Sequence, residues 1–212
     1  MKIALIQQPA TADKSANLER GLENAMKAIE AGAKIIGFAE LAFEPFYPQF
    51  PAGEGFADLT EPIPGPITDA FCELAKKHEV VFVLTLFEVA EGKTYDSSPV
   101  IDADGTILGT TRMVHITEYP CFDEQGYYAE GDNGTPVYDT RFGKVAVAIC
   151  YDRHYQNTCE PLASPARKSY SLHRPAWWVS GRRDCTKLNF ASPHFKTDTL
   201  RLWSIESARN RN

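Results

Sequence analysis

Apolar positions in the first 155 residues switch between two spacings. Ile3 to Gln7 is a compact apolar run and reads as a strand. Lys14 to Ala31 places Leu18, Leu22, Ala25, Met26 and Ile29 on one helical face, with Asp13 as a cap or turn residue before it and Gly32 as a C-cap after it. Lys34 to Ala39 is a second apolar strand, with Glu40 at its end. A loop rich in Pro and Phe, Phe43 to Pro66, leads to a second helix, Ile67 to His78, whose Ile67, Phe71, Leu74 and Ala75 face inward. Val80 to Val89 reads as a third strand. Tyr95 to Ile101 and Thr106 to His115 flank Asp104-Gly105 and predict a hairpin. An aromatic loop, Tyr119 to Asp132, leads to Val137 and then to Val145–Ile149, a buried strand that ends on Cys150. Strands alternating with helices predict an α/β domain with antiparallel strands mixed in.

After Tyr155 this order stops. The stretch from Gln156 to Val179 follows neither spacing and holds irregular prolines. Charge changes at the same place. Residues 1–155 carry 12 Lys and Arg against 24 Asp and Glu, whereas residues 156–212 carry 10 against 4. All three tryptophans, Trp177, Trp178 and Trp203, fall in the second segment.

A cysteine at the end of a buried strand, followed at once by Tyr151-Asp152-Arg153-His154, has the layout of a nucleophile elbow. On its own it reads first as a buried structural thiol. The other cysteines, Cys72, Cys121, Cys159 and Cys185, form no CxxC pair or zinc spacing, and the default compartment is reducing and cytoplasmic. The five histidines form no metal-binding pair, so neither a metal nor a cofactor is expected. No apolar run reaches membrane-spanning length and no signal peptide is expected. The scattered basic residues of the tail match no nucleic-acid motif.

Four stretches in order resemble the nitrilase superfamily of carbon–nitrogen hydrolases. They are the opening strand and helix, I-I-G-F-A-E-L containing Glu40, Y-D-S-S-P-V-I-D-A-D-G-T-I-L-G, and V-A-V-A-I-C-Y-D-R-H-Y around Cys150. Together they cover residues 1–155. R-M-V-H-I, F-D-E-Q-G-Y-Y and E-G-D are similar to N-carbamoyl-type amidases. The resemblance implies a four-layer α-β-β-α sandwich that commonly forms homo-oligomers. It also implies hydrolysis of a small amide or N-carbamoyl substrate through a cysteine thioester. In those terms Glu40 is the general base, Cys150 the nucleophile and Glu124 a second glutamate that positions the set.

Two departures qualify this. The family's oxyanion-stabilising lysine lies in R-K-x-H-I, and here Met113 stands in its place, with no lysine between Lys93 and Lys144. Arg112, His115 and Arg153 are cations nearby, but the alignment gives none of them that role. Either the subgroup works differently or the chemistry is weakened, which leaves a non-catalytic binding or assembly protein as the alternative. The family's continuation is also absent after Tyr155. Read with a one-base shift, Asp184 into Cys185 can only encode Leu, and Asp184 to Ala208 admits L-Y-E-A-E-L-R-V-A-A-F-Q-N-G-Y-F-A-A-L-V-N-R-V-G, in the family's order and spacing. The expectation is an out-of-frame tail over 156–212, a C-terminal part of the sandwich missing or replaced by it, and a weakly active or inactive chain.

Overall fold

The computed structural model describes residues 1–155 together with two strands, Ser169–Ser171 and Thr199–Ser204. The reading of 156–212 as an out-of-frame tail otherwise falls outside the described residues. The elements begin with β1 (Lys2–Gln7), α1 (Lys14–Glu30), β2 (Ala33–Phe38) and α2 (Pro66–His78). Next come β3 (Val81–Val83), β4 (Leu86–Ala90), β5 (Lys93–Ile101) and β6 (Ile107–Arg112). A small hairpin, β7 (Glu118–Tyr119) and β8 (Phe122–Asp123), precedes β9 (Val137–Thr140), β10 (Gly143–Ala146), β11 (Ser169–Ser171) and β12 (Thr199–Ser204).

One sheet runs β12-β1-β2-β3-β5-β4, with β6 also paired to β5; a second runs β11-β10-β9. β1, β2 and β3 are mutually parallel. The two-residue period of a strand divides the main sheet's side chains between two cores. Ala4, Ile6, Ile36, Phe38, Phe82 and Leu84 pack with α1 and α2. Their neighbours Ile3, Ile35, Val81 and Val83 pack on the opposite side with Tyr138, Val145, Val147 and Ile149 of the second sheet's segment. Helices, sheet and sheet are therefore stacked in the order that the α/β expectation requires. Gly109 permits the approach of the sheets, because a Cβ there would lie 2.7 Å from the Tyr138 ring.

The expected helices are present, and the Asp13 side chain caps α1 by accepting from the Ala16 amide at 3.0 Å. The Asp104-Gly105 turn joins β5 to β6, with Gly105 at φ 87°. The single strand expected over Val80 to Val89 is two. β3 pairs with Val100–Ile101, whereas β4 pairs with Lys93–Ser97 of the same strand. At the break Thr85 donates its hydroxyl to the Ala39 carbonyl just past the end of β2. Within Gln156 to Val179, where the sequence predicts no strand, β11 forms and pairs with β10; farther on, β12 pairs with β1. T-L-R-L-W-S does alternate, and β1 and β10 each offer it or its counterpart an edge. Among the described residues no helix is long and apolar enough to cross a membrane.

Candidate active site

Cys150 opens a sharp 3₁₀ turn, Cys150–His154, directly after Ile149, which is extended at φ −97° and ψ 131°. The change of direction falls on Cys150 itself, whose φ of 44° lies in the left-handed region. A side chain there is strained, at a cost of about 1–2 kcal/mol. Such strain persists only where surrounding structure enforces it, and it concentrates at functional sites. Val147, Ala148 and Ile149 enforce it here, because all three are buried. The sulfur stands half-buried at the rim of the core between the two sheets.

Glu40 is built the same way at the end of a different strand. The backbone of β2 continues through Ala39, whose amide donates to the Ile6 carbonyl at 3.1 Å. Leu41 then turns with φ 47° and buries its side chain. Glu40 is left at the C-terminal end of a parallel strand, where open α/β sheets place their ligands.

Glu124 comes from a third element, a short 3₁₀ turn at Glu124–Gly126. It is fully buried, and its Oε2 accepts from the Thr117 amide at 3.0 Å and the Thr117 hydroxyl at 2.6 Å. No protein donor reaches its Oε1. Burial raises its pKa above the ordinary carboxylate value, with Thr117 working in the opposite sense. One donor atom each from Glu40, Glu124 and Cys150 lie within 4.8 Å of one another. That is close enough for a carboxylate to take a thiol proton directly or through one water. All three residues singled out by sequence thus meet, although 110 positions of chain separate the first from the last.

Two further groups belong to this cluster and were missed. Asp96 of β5 is fully buried, and no N–H or O–H of the described residues donates to either of its oxygens. It lies against Glu40, and burial, followed by Glu40 and Glu124, raises its pKa well above normal. The Tyr128 hydroxyl is buried beside the same acids; burial first and Asp96 next push its pKa up. A lone acid in the strand T-Y-D-S-S-P-V-I is the available signal for Asp96, although the hairpin pattern does not say which face it occupies. Tyr128 gave none, being one of several aromatics in its loop.

Asp152, two residues past the sulfur, anchors the segment that follows β6. It accepts from the Val114 amide at 3.3 Å, the His115 amide at 2.9 Å and the His115 ring Nδ1 at 2.6 Å. The His115 ring stacks on Tyr155 at 3.5 Å. Met113 is thereby held, with no exposed surface, in the same core that Cys150 packs against. Gly131, from E-G-D, donates its amide to the Met113 carbonyl at 2.8 Å. A Cβ on Gly131 would lie 2.4 Å from the Arg112 carbonyl oxygen. Arg112 is committed elsewhere. Its guanidinium pairs with both oxygens of Glu88, at 2.8 and 2.9 Å, and lies over the Tyr95 ring. Cys121 is exposed at the tip of the β7–β8 hairpin. The Arg153 side chain falls outside the described residues.

Known proteins resemble this chain in sequence and in fold. The sequence model of a family described as carbon–nitrogen hydrolase matches residues 2–170. N-carbamoylputrescine amidase from Solanum lycopersicum is 36% identical over 162 residues, covering 76% of this chain and 54% of the relative. Beta-ureidopropionase from Arabidopsis thaliana is 33% identical over 203 residues, covering 86% of this chain and 49% of the relative. The chain thus spans about half the length of these curated relatives. Among solved structures, a carbon–nitrogen hydrolase from Helicobacter pylori G27 superposes with a TM-score of 0.71 at 26% identity. That match covers 76% of this chain and 55% of the other.

Proposed function

Because this chain belongs to the carbon–nitrogen hydrolase family, we propose that it is built to hydrolyse a small amide or N-carbamoyl compound through a thioester on Cys150. The observation that carries this reading is the meeting of Glu40, Glu124 and Cys150 donor atoms within 4.8 Å. Glu40 takes the Cys150 proton as the sulfur attacks the carbonyl carbon, giving a tetrahedral oxyanion. The same proton then passes to the leaving nitrogen as the C–N bond breaks, which leaves the acyl or carbamoyl group on sulfur. Water, losing a proton to Glu40, attacks the thioester, and the proton returns to the departing thiol. Glu124, held by Thr117, keeps Glu40 aligned. The relatives' names favour carbamoyl substrates, since two that are similar to the chain are an N-carbamoylputrescine amidase and a beta-ureidopropionase.

Met113 limits what this site does. A thioether offers no hydrogen to an oxyanion. We therefore propose low turnover for this chain. Met113 also motivates the second reading, a binding or assembly protein that keeps the sandwich without the chemistry. Release of ammonia or amine from N-carbamoyl compounds and small amides is the direct assay. The reading expects slow release that disappears in Cys150→Ala; release unchanged in that variant would refute it.

We propose in addition that residues 1–155 form the N-terminal part of the four-layer domain and that 156–212 is read out of frame. The charge reversal and the clustered tryptophans support this. Sequencing the gene across Tyr155 in independent clones tests it, and an intact frame in all of them overturns it.

A further inference from the structure

Asp96 has a role in this site that its family resemblance does not supply. Its carboxyl is wholly enclosed, and no amide, hydroxyl, lysine or arginine of the described residues donates to either oxygen. The charged groups that face it are Glu40, Glu124 and Asp152, all carboxyls, and the Tyr128 hydroxyl lies on the same cluster. Two carboxyls cannot lie in hydrogen-bond reach of one another in a dry core while both are charged. One proton must be shared between Asp96 and Glu40, and the backbone says which keeps it. Asp96 sits within β5, with Leu86 and Arg112 backbones on either side of neighbouring Ser97 and its own carbonyl tied to the Met113 amide at 2.9 Å. Glu40 sits past the end of β2, beside the half-buried sulfur.

We infer that Asp96 is a positioning residue that stays protonated at neutral pH and donates its O–H to the Glu40 carboxylate. The bond does two things. It fixes the Glu40 rotamer, and it leaves Glu40 charged and able to accept the Cys150 proton. The burial that raises the Asp96 pKa supports the assignment. Glu124 is aligned by other means, since its Oε2 accepts two hydrogen bonds from Thr117.

The inference rests on the reading of Glu40 as base, so the experiment has a readout independent of turnover. Infrared spectra of the full chain are recorded at neutral pH with and without ¹³C-carboxyl aspartate, for the parent and for Asp96→Asn. A protonated aspartate C=O band is expected in the parent, moved by the label and absent from Asp96→Asn; its absence from the parent overturns the inference. The alkylation rate of Cys150 against pH is then compared in Asp96→Asn and Asp96→Ala. The asparagine NH₂ can still donate to Glu40, so it should recover the rate that alanine loses, a loss on the order of a hundredfold. Equal loss in both variants, with the fold intact by circular dichroism, also overturns it. Should no amide or N-carbamoyl compound be hydrolysed, the proposed reaction fails while the aspartate band still decides the proton on Asp96.

Discussion

The Asp152 carboxylate and the His115 ring meet at 2.6 Å, and through that contact the turn bearing Cys150 holds the segment bearing Met113. The same carboxylate takes the Val114 and His115 amides, so three donors on one segment depend on one buried side chain. Asp152→Ala leaves these donors without an acceptor, which costs about 1–3 kcal/mol for a buried group. For a chain of this size each 1 kcal/mol lowers Tm by about 2–4 °C. Thermal unfolding should show that fall, with Asp152→Asn retaining part of the stability through its carbonyl oxygen. An unchanged Tm in Asp152→Ala would show that the contact does not tie the two segments.

Met113→Lys places an ammonium in the core that Cys150 packs against. Removing a single oxyanion donor from an enzyme costs about 10²–10³ in kcat, so adding one should raise turnover by on the order of a hundredfold. The gain should appear in kcat with little change in KM, and a double variant with Cys150→Ala should abolish it. If turnover is no higher, the low activity has another cause than the missing donor.

The buried acids set a pH dependence of stability. Asp96 has a folded-state pKa raised by burial, so the unfolded chain releases that proton at lower pH than the folded chain does. Its contribution is therefore fully favourable below the unfolded carboxyl value. It declines as pH rises from there toward the raised folded value. Asp96→Asn removes this decline. The variant should match the parent near pH 4 and exceed its Tm at neutral pH by about 2 °C or more. Glu124 is raised for the same cause and should behave in the same sense. A Tm difference that is constant with pH would exclude the linkage.

Thiol labelling ranks the cysteines of the described residues by environment. Burial and the neighbouring Asp69 and Glu73 raise the Cys72 pKa, so Cys72 should label slowest near neutral pH. Cys121 is exposed and should label at the rate of an ordinary surface thiol. Cys150 with a working Glu40 should exceed both, read by mass spectrometry after timed alkylation. A Cys150 no faster than Cys121 favours the non-catalytic reading.

Much of this was legible in the chain because it is local. Periodicity located α1, α2 and the principal strands, and order along the chain paired Glu40 with Cys150. The break between β3 and β4 was not legible, since Val80 to Val89 is apolar throughout and the Thr85 bond to Ala39 that marks the break spans 46 positions. Asp96 and Tyr128 were hidden for a similar reason. Their chemistry arises from what the fold encloses with them, and a residue's own type does not report its burial.

The left-handed turn at Cys150 carries a last consequence, for mutational drift. Glycine occupies φ 44° without the clash that any Cβ meets, so Cys150→Gly should be more stable than Cys150→Ala by about 1 kcal/mol. A lineage released from chemistry would find glycine the better of the two replacements, whereas Leu41 at φ 47° is retained by the burial of its side chain. Comparing the two variants by chemical denaturation measures the slope that the thiol at this position has so far resisted.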